Sequence, residues 1–275
     1  MKKKIALVAM AAFAVCAQAA DWSDTSIAYS TGTNFKEPYT AGGDTIAKNI
    51  VTFKNVSGDK YGSNFFAADF LQSGGNNDSA QEVYVAYRRL FDLEKITSKK
   101  YAYGPVKNMG VTVGFDFNTK NDFYSSKKRM LVAGPTWMID VPKGFFDVSL
   151  LALSESNNPN VDSRNSYSTG RYAYKNHVDV SFVWGVPTGI NNLGFEGWGD
   201  YIGYKGTMEN GVGSSKETHI YSALMYDVSA PLGASKNTFK LGAGYEYWKN
   251  KFGNDGSTVA GATAKTPFVK AEYHF

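Results

Sequence analysis

Cysteine is almost absent: the single thiol in 275 residues is Cys16, inside the N-terminal leader-like segment. Val15 precedes it where lipoprotein acylation wants a small residue, so Cys16 does not read as a lipidation site. The chain beyond it can form no disulfide and no thiolate metal site. Long apolar runs are missing too. After Val15 nothing approaches the roughly 20 consecutive apolar residues of a membrane-spanning helix. No window keeps a clear 3.6-residue apolar period, which argues against amphipathic helices. Histidine is scarce, at His177, His219 and His274, and none stands in an H-E-x-x-H zinc motif. A G-x-S-x-G elbow, a P-loop and a dinucleotide fingerprint are all absent. His219 has Ser222 and Asp227 nearby, a grouping too common to indicate a hydrolase. The sequence therefore calls for no enzyme, cofactor or metal. With no basic stripe, it calls for no nucleic-acid partner either.

The first twenty residues differ from the rest. Lys2, Lys3 and Lys4 precede an uncharged run from Ile5 to Val15, and Ala17-Gln18-Ala19 supplies small residues at a cleavage site. This pattern predicts a secretory signal peptide over 1–19, with 20–275 as a single domain. Removing the three lysines takes the formal charge from +4 to +1.

What remains is rich in Tyr, Phe, Trp, Gly, Asn and Ser. Aromatic residues suit strands, and Gly and Asn suit turns. The clearest strand signal is Met109, Val111, Val113, Phe115 and Phe117, alternating with Gly110, Thr112, Gly114 and Asp116. Similar apolar faces recur in Phe146, Val148, Leu150, Ala152, in Val178, Val180, Phe182, Trp184, and in Phe239, Leu241, Ala243, Tyr245, Tyr247. Strands are expected near 24–35, 46–57, 62–72, 80–90, 108–118, 127–139, 144–154, 174–184, 193–205, 217–228, 238–248 and 266–275. Most have the length a tilted strand needs to cross a bilayer. One segment of this kind would also fit a soluble sandwich. Twelve of them, apolar on one side and polar on the other, predict an all-β fold: a 12-stranded antiparallel transmembrane β-barrel of a Gram-negative outer membrane.

The connections alternate between long and short, as in such barrels. The exception is 91–107, long where a short turn is due. Either it carries a short helix around Leu93 to Ile96, or the strand count is off by one hairpin. At the C-terminus Pro267, Val269, Ala271, Tyr273 and Phe275 alternate with Phe268, Lys270, Glu272 and His274. A closing strand that ends on an aromatic residue is the pattern the outer-membrane assembly machinery recognises, so that machinery and the membrane lipid are expected partners.

Several strings resemble the Tsx-like family of nucleoside-specific channel-forming outer-membrane proteins. They are Tyr61-Gly62-Ser63-Asn64-Phe65-Phe66, Gln81-Glu82-Val83-Tyr84 followed by Tyr87-Arg88, Gly114-Phe115-Asp116, Lys128-Arg129-Met130 with Gly134-Pro135, and Val141-Pro142 before Gly144-Phe145. Trp22 and Phe275 are similar as well. The resemblance spans nearly the whole mature chain and is closest to a broad proteobacterial branch. It implies a 12-stranded monomeric barrel with a narrow pore, lined by aromatic and ionisable groups, that admits nucleosides.

Parity along the strands selects the residues that would line such a pore. Glu82, Tyr84, Ala86 and Arg88 share one face, and Asp116 faces inward by the same rule. Glu196, Trp198, Asp200 and Tyr204 share a face, as do Glu217, His219 and Tyr221, and then Glu246 and Trp248. Arg129 is placed in the lumen as a partner for Asp116. The candidate substrate-binding set is Glu82, Tyr84, Arg88, Asp116, Arg129, Glu196, Trp198, His219, Tyr221 and Trp248. Stacking surfaces beside hydrogen-bonding groups suit a flat base carrying a hydroxylated sugar. The alternative is that these charges only neutralise one another as wall bracing, for example Glu82 with Arg88. A second reading of the whole chain puts its function in the surface loops, as an adhesin, phage receptor or structural protein, with the segment from Asn157 to Ser168 as its largest loop. Trp137, Trp184, Tyr245, Tyr247 and Tyr273 read as interfacial belts rather than site residues.

Overall fold

The computed structural model describes residues 20–39, 41–74, 80–160 and 170–275. The leader segment 1–19 and most of the loop that follows Asn157 lie outside the described residues. Twelve long strands follow one another in chain order: β1 (Trp22–Phe35), β2 (Ile46–Asp59), β3 (Gly62–Gly74), β4 (Gln81–Asp92), β5 (Val106–Lys120), β6 (Arg129–Ile139), β7 (Phe145–Asn157), β8 (His177–Pro187), β9 (Leu193–Ile202), β10 (Glu217–Asp227), β11 (Phe239–Lys249) and β12 (Thr263–His274). Each pairs antiparallel with the next, and a two-residue pairing of Tyr172–Ala173 extends the edge of β7. β12 then pairs with β1, in register from Ser26 opposite His274 to Thr31 opposite Val269, and the sheet closes. Phe275 adds one more bond, its N–H donating to the Thr25 carbonyl at 2.9 Å. Closure matters because lipid offers no partners to an open edge.

β1 starts and β12 finishes at one end of the barrel, here called the turn end. The connections at the opposite, loop end are mostly longer. Between β4 and β5 stands the helix α1 (Leu93–Thr97), which resolves the exception in the loop alternation. Asp92 caps it, accepting from the Lys95 N–H at 3.0 Å, and Ser98 ends it in the left-handed conformation. At the β2–β3 turn, Asp59 accepts from the Tyr61 N–H at 2.8 Å. Gly62 follows with φ 152°, and a Cβ there would lie 1.9 Å from the Leu90 carbonyl oxygen. Only glycine permits that approach.

The alternation sorts side chains as the sequence pattern implies. Leu131, Val178, Leu241 and Val269 point outward and are each more than half exposed. The inward positions are largely buried against one another. Met130, Val132, Leu151 and Leu153 form one apolar cluster with Ile202 packed on it, and Ala223, Met225 and Phe268 form another with Tyr221. The lumen is therefore partly filled by side chains, as expected for a barrel between the filled eight-stranded kind and the wide porins. Among the described residues no helix is long and apolar enough to cross a membrane.

Candidate functional site

An aromatic track runs along the inner wall formed by β9 to β12. Cross-strand register places Trp198 opposite Tyr221, His219 opposite Trp248, and Gly244 opposite Phe268. Because Gly244 has no side chain, Phe268 spreads across its position; a Cβ there would lie 2.1 Å from the Phe268 ring. Tyr221 stacks on Phe268 with ring centroids 4.7 Å apart, and Trp198 lies parallel to Tyr221 at 6.0 Å. His219 meets Trp198 edge-on at 4.5 Å and stacks flat on Trp248 at 3.6 Å. Phe252 continues the series beyond the strands, 5.0 Å from Trp248. Six rings thus form a continuous series along one side of the lumen.

Polar groups fix these rings in place. His219 Nε2 pairs with Glu246 at 3.0 Å, and the Trp248 indole N–H donates to Glu217. Such bonds hold the ring edges and so fix the planes in which the rings stack.

Ions line the rest of the lumen, first on the opposite wall. Arg88 donates to both oxygens of Asp116, at 2.5 and 3.2 Å, and the Tyr84 hydroxyl donates to Asp116 at 2.9 Å. Glu82 accepts from Asn118 at 2.7 Å. Further along, Lys205 donates to Glu155 at 3.2 Å. Toward the turn end Lys270 bridges Glu196 (2.9 Å) and Glu272 (2.7 Å), while Lys54 and His274 also reach Glu272. Among the described residues no cluster of His, Cys, Asp or Glu could hold a metal ion.

At the loop end the connection after β1 turns back over the mouth. Its Glu37 side chain is buried and accepts from Lys48 and from Lys251, the latter at 3.3 Å, with Lys120 at 3.9 Å. Burial opposes ionisation of Glu37, but the charges of Lys251, Lys48 and Lys120 outweigh it and hold the carboxyl well below the usual carboxylate range. Lys251 in turn lies 4.0 Å over the Trp248 ring, so this ion cluster caps the aromatic track. The loop is held by close backbone packing: a Cβ on Gly261 would lie 2.1 Å from the Glu37 carbonyl oxygen, and the Tyr39 N–H donates to Ala260.

Of the residues singled out from sequence, Glu82, Tyr84, Arg88, Asp116, Glu196, Trp198, His219, Tyr221 and Trp248 stand on inward faces. Arg129 does not. In β6 Met130 and Val132 are buried inside, and Arg129 shares the outer face with the exposed Leu131. The partner of Asp116 is Arg88, not Arg129, and Glu82 pairs with Asn118, not Arg88. Parity alone places Arg129 outside, since Leu131 and Trp137 are two and eight residues away on the same face. Sequence reasoning missed Glu37, Lys48, Lys120, Lys251, Phe268 and Lys270. Phe268 and Lys270 lie on the polar-alternating face of the last strand and were legible there; Glu37 sits in a loop, where no parity applies.

No protein-family model and no curated protein sequence matches the chain. Solved structures do match in fold. The COG4313 outer membrane channel from Pseudomonas putida F1 superposes with TM-score 0.50 at 10% identity, covering 92% of this chain and 95% of that one. The translocator domain of the autotransporter NalP from Neisseria meningitidis gives 0.48 at 10% identity over 92% of this chain and 88% of that one. The KdgM porin gives 0.42 at 8% identity over 91% and 99%. At these identities the likeness concerns architecture, and the architecture is the closed antiparallel barrel of outer-membrane proteins.

Proposed function

We propose that the chain is an outer-membrane channel for passive uptake of small polar solutes, with nucleosides as the class that suits its lumen. The observation that carries this reading is the ring series Trp248–His219–Trp198–Tyr221–Phe268 facing the Arg88–Asp116–Tyr84 wall. A nucleoside has a flat base for the rings and sugar hydroxyls for the ions. Each stacking contact of this kind is worth about 1–3 kcal/mol. A row of such weak contacts favours entry without trapping the solute, as conduction requires. The resemblance to the Tsx-like family supports the same substrate class. Export by the leader, assembly through the strand ending at Phe275 and action as a monomer belong to this reading.

The test is liposome swelling by the refolded barrel, with nucleosides compared against sugars and amino acids of similar mass. Nucleosides should swell the vesicles fastest, and Trp198→Ala should remove most of that preference. Equal rates for all solutes would reject the substrate class. No swelling at all would move the function to the surface loops.

A further inference from the structure

The outer face of the barrel carries a cationic groove at the loop end of β5, β6 and β7. Its volume is about 710 Å³. The floor is apolar: Phe115 and Phe117 lie parallel, 6.5 Å apart and facing outward, beside the exposed Leu131. Its upper edge is formed by Lys127, Arg129 and Arg171. Arg171 is pinned there, its Nη1 donating to the carbonyls of Lys127 (2.7 Å) and Ser156 (3.2 Å). Burial disfavours its charged form, and the neighbouring Arg129 charge does so further. Arg129 is held in the ladder between β5 and β7, but its side chain makes no hydrogen bond or ion pair among the described residues. Lys127 Nζ reaches only neutral oxygens, of Asn160 at 3.1 Å and Ser125 at 3.4 Å. The one acid along the groove is Asp116, and its carboxylate points inward to Arg88. Three cations thus stand together above lipid-facing aromatics, and among the described residues no carboxylate answers them.

Isolated cations on an outer face simply meet water and headgroups. Two guanidiniums held side by side against their mutual repulsion call for an anion. A phosphate monoester carries close to two charges and accepts bidentate bonds from arginine. Apolar rings directly below would take acyl chains. We propose that this groove binds the phosphorylated headgroup of an outer-leaflet glycolipid of the lipid A class, with its chains lying over Phe115, Phe117 and Leu131. The inference takes the loop end as the outer side, as in the channel reading, and is otherwise independent of transport.

The test is native mass spectrometry of the refolded full chain, titrated with bis-phosphorylated lipid A, its monophosphoryl form and phosphatidylglycerol. One lipid A should bind per barrel, at least tenfold more tightly than phosphatidylglycerol and more tightly than the monophosphoryl form. Arg129→Gln, which breaks no contact among the described residues, should weaken lipid A binding about tenfold or more, the ~1.4 kcal/mol of one charged contact. Arg129→Lys should recover only part. Lys249→Gln with Lys265→Gln, on the far side of the barrel, should change nothing. Equal affinity for phosphatidylglycerol, or equal loss from the distant pair, would show diffuse charge attraction and overturn the site. Absence of lipid A binding would overturn it as well. Swelling rates in lipid-A-free vesicles, measured on the same variants, separate failure of this site from failure of the channel.

Discussion

Replacing Glu37 with glutamine should open the loop end. The carboxylate is 5% exposed and answers three lysines. Glutamine keeps the volume and removes the charge. Lys120 retains Asp122 at 2.8 Å, but Lys48 and Lys251 lose the one carboxylate they bond directly and are left with Glu246 acting only through space. Removing one partner of a buried pair costs about 3–5 kcal/mol, chiefly because the remaining charge is stranded. The twelve-strand ladder does not depend on this loop, so the strain is relieved by local release. Taking 3 kcal/mol as the lower bound, the ratio of released to docked loop rises by about two orders of magnitude. Single-channel recording in planar bilayers should show larger conductance or more frequent open states in Glu37→Gln. Trypsin should cut after Lys36 faster than in the parent protein. A second change, Lys251→Met, removes one stranded charge and should restore much of the parent behaviour. Unchanged conductance together with unchanged cleavage at Lys36 would refute the claim that the ion cluster holds the loop in the mouth.

Acid should act on the same cluster only late. The Glu37 carboxyl is held below its ordinary value, so its contribution is complete above that value and is lost as pH falls through the depressed one. Parent-protein conductance should stay flat from about pH 8 to about pH 5, in the window where an ordinary carboxylate is still ionised, and a step between pH 6 and 4 would contradict this. Arg88→Ala should destabilise the barrel by about 3–5 kcal/mol by stranding buried Asp116, and adding Asp116→Asn should recover most of it. Heat-dependent migration on detergent gels reads both, and no recovery would mean the loss lies in packing. Gly62→Val should block assembly, because its Cβ would meet the Leu90 carbonyl across β3–β4; a normally folded yield would show that the turn adapts.

Strand parity explains why so much of the fold was legible. A period of two fixes which residues share a face, and the strong apolar face, such as Val111, Val113, Phe115 and Phe117, then fixes which face meets lipid. Strand ends were less legible. β7 extends to Asn157 and β12 starts at Thr263, in both cases at the loop end, through Glu155-Ser156-Asn157 and Thr263-Ala264-Lys265, which carry no apolar alternation. The helix over Leu93–Thr97 was signalled by the acidic cap Asp92 and by the excess length of its connection.

Pairing inside the lumen follows different physics. Parity puts Glu82, Arg88 and Asp116 on the inner wall but says nothing about who bonds whom. That depends on register: Ala86 lies opposite Asp116, so Arg88 reaches it diagonally, while Glu82 meets Asn118. Register in turn depends on turn length, where one residue more or less would exchange the partners. Glu37 lies beyond even this argument. Its place is set by the crossing of two loops at Gly43 and Gly261, a contact between residues over 200 positions apart. Local pattern cannot encode such a contact, yet it decides how the aromatic track ends. The wall that a solute meets is therefore readable from the strands, whereas the part that closes the mouth had to be seen in three dimensions.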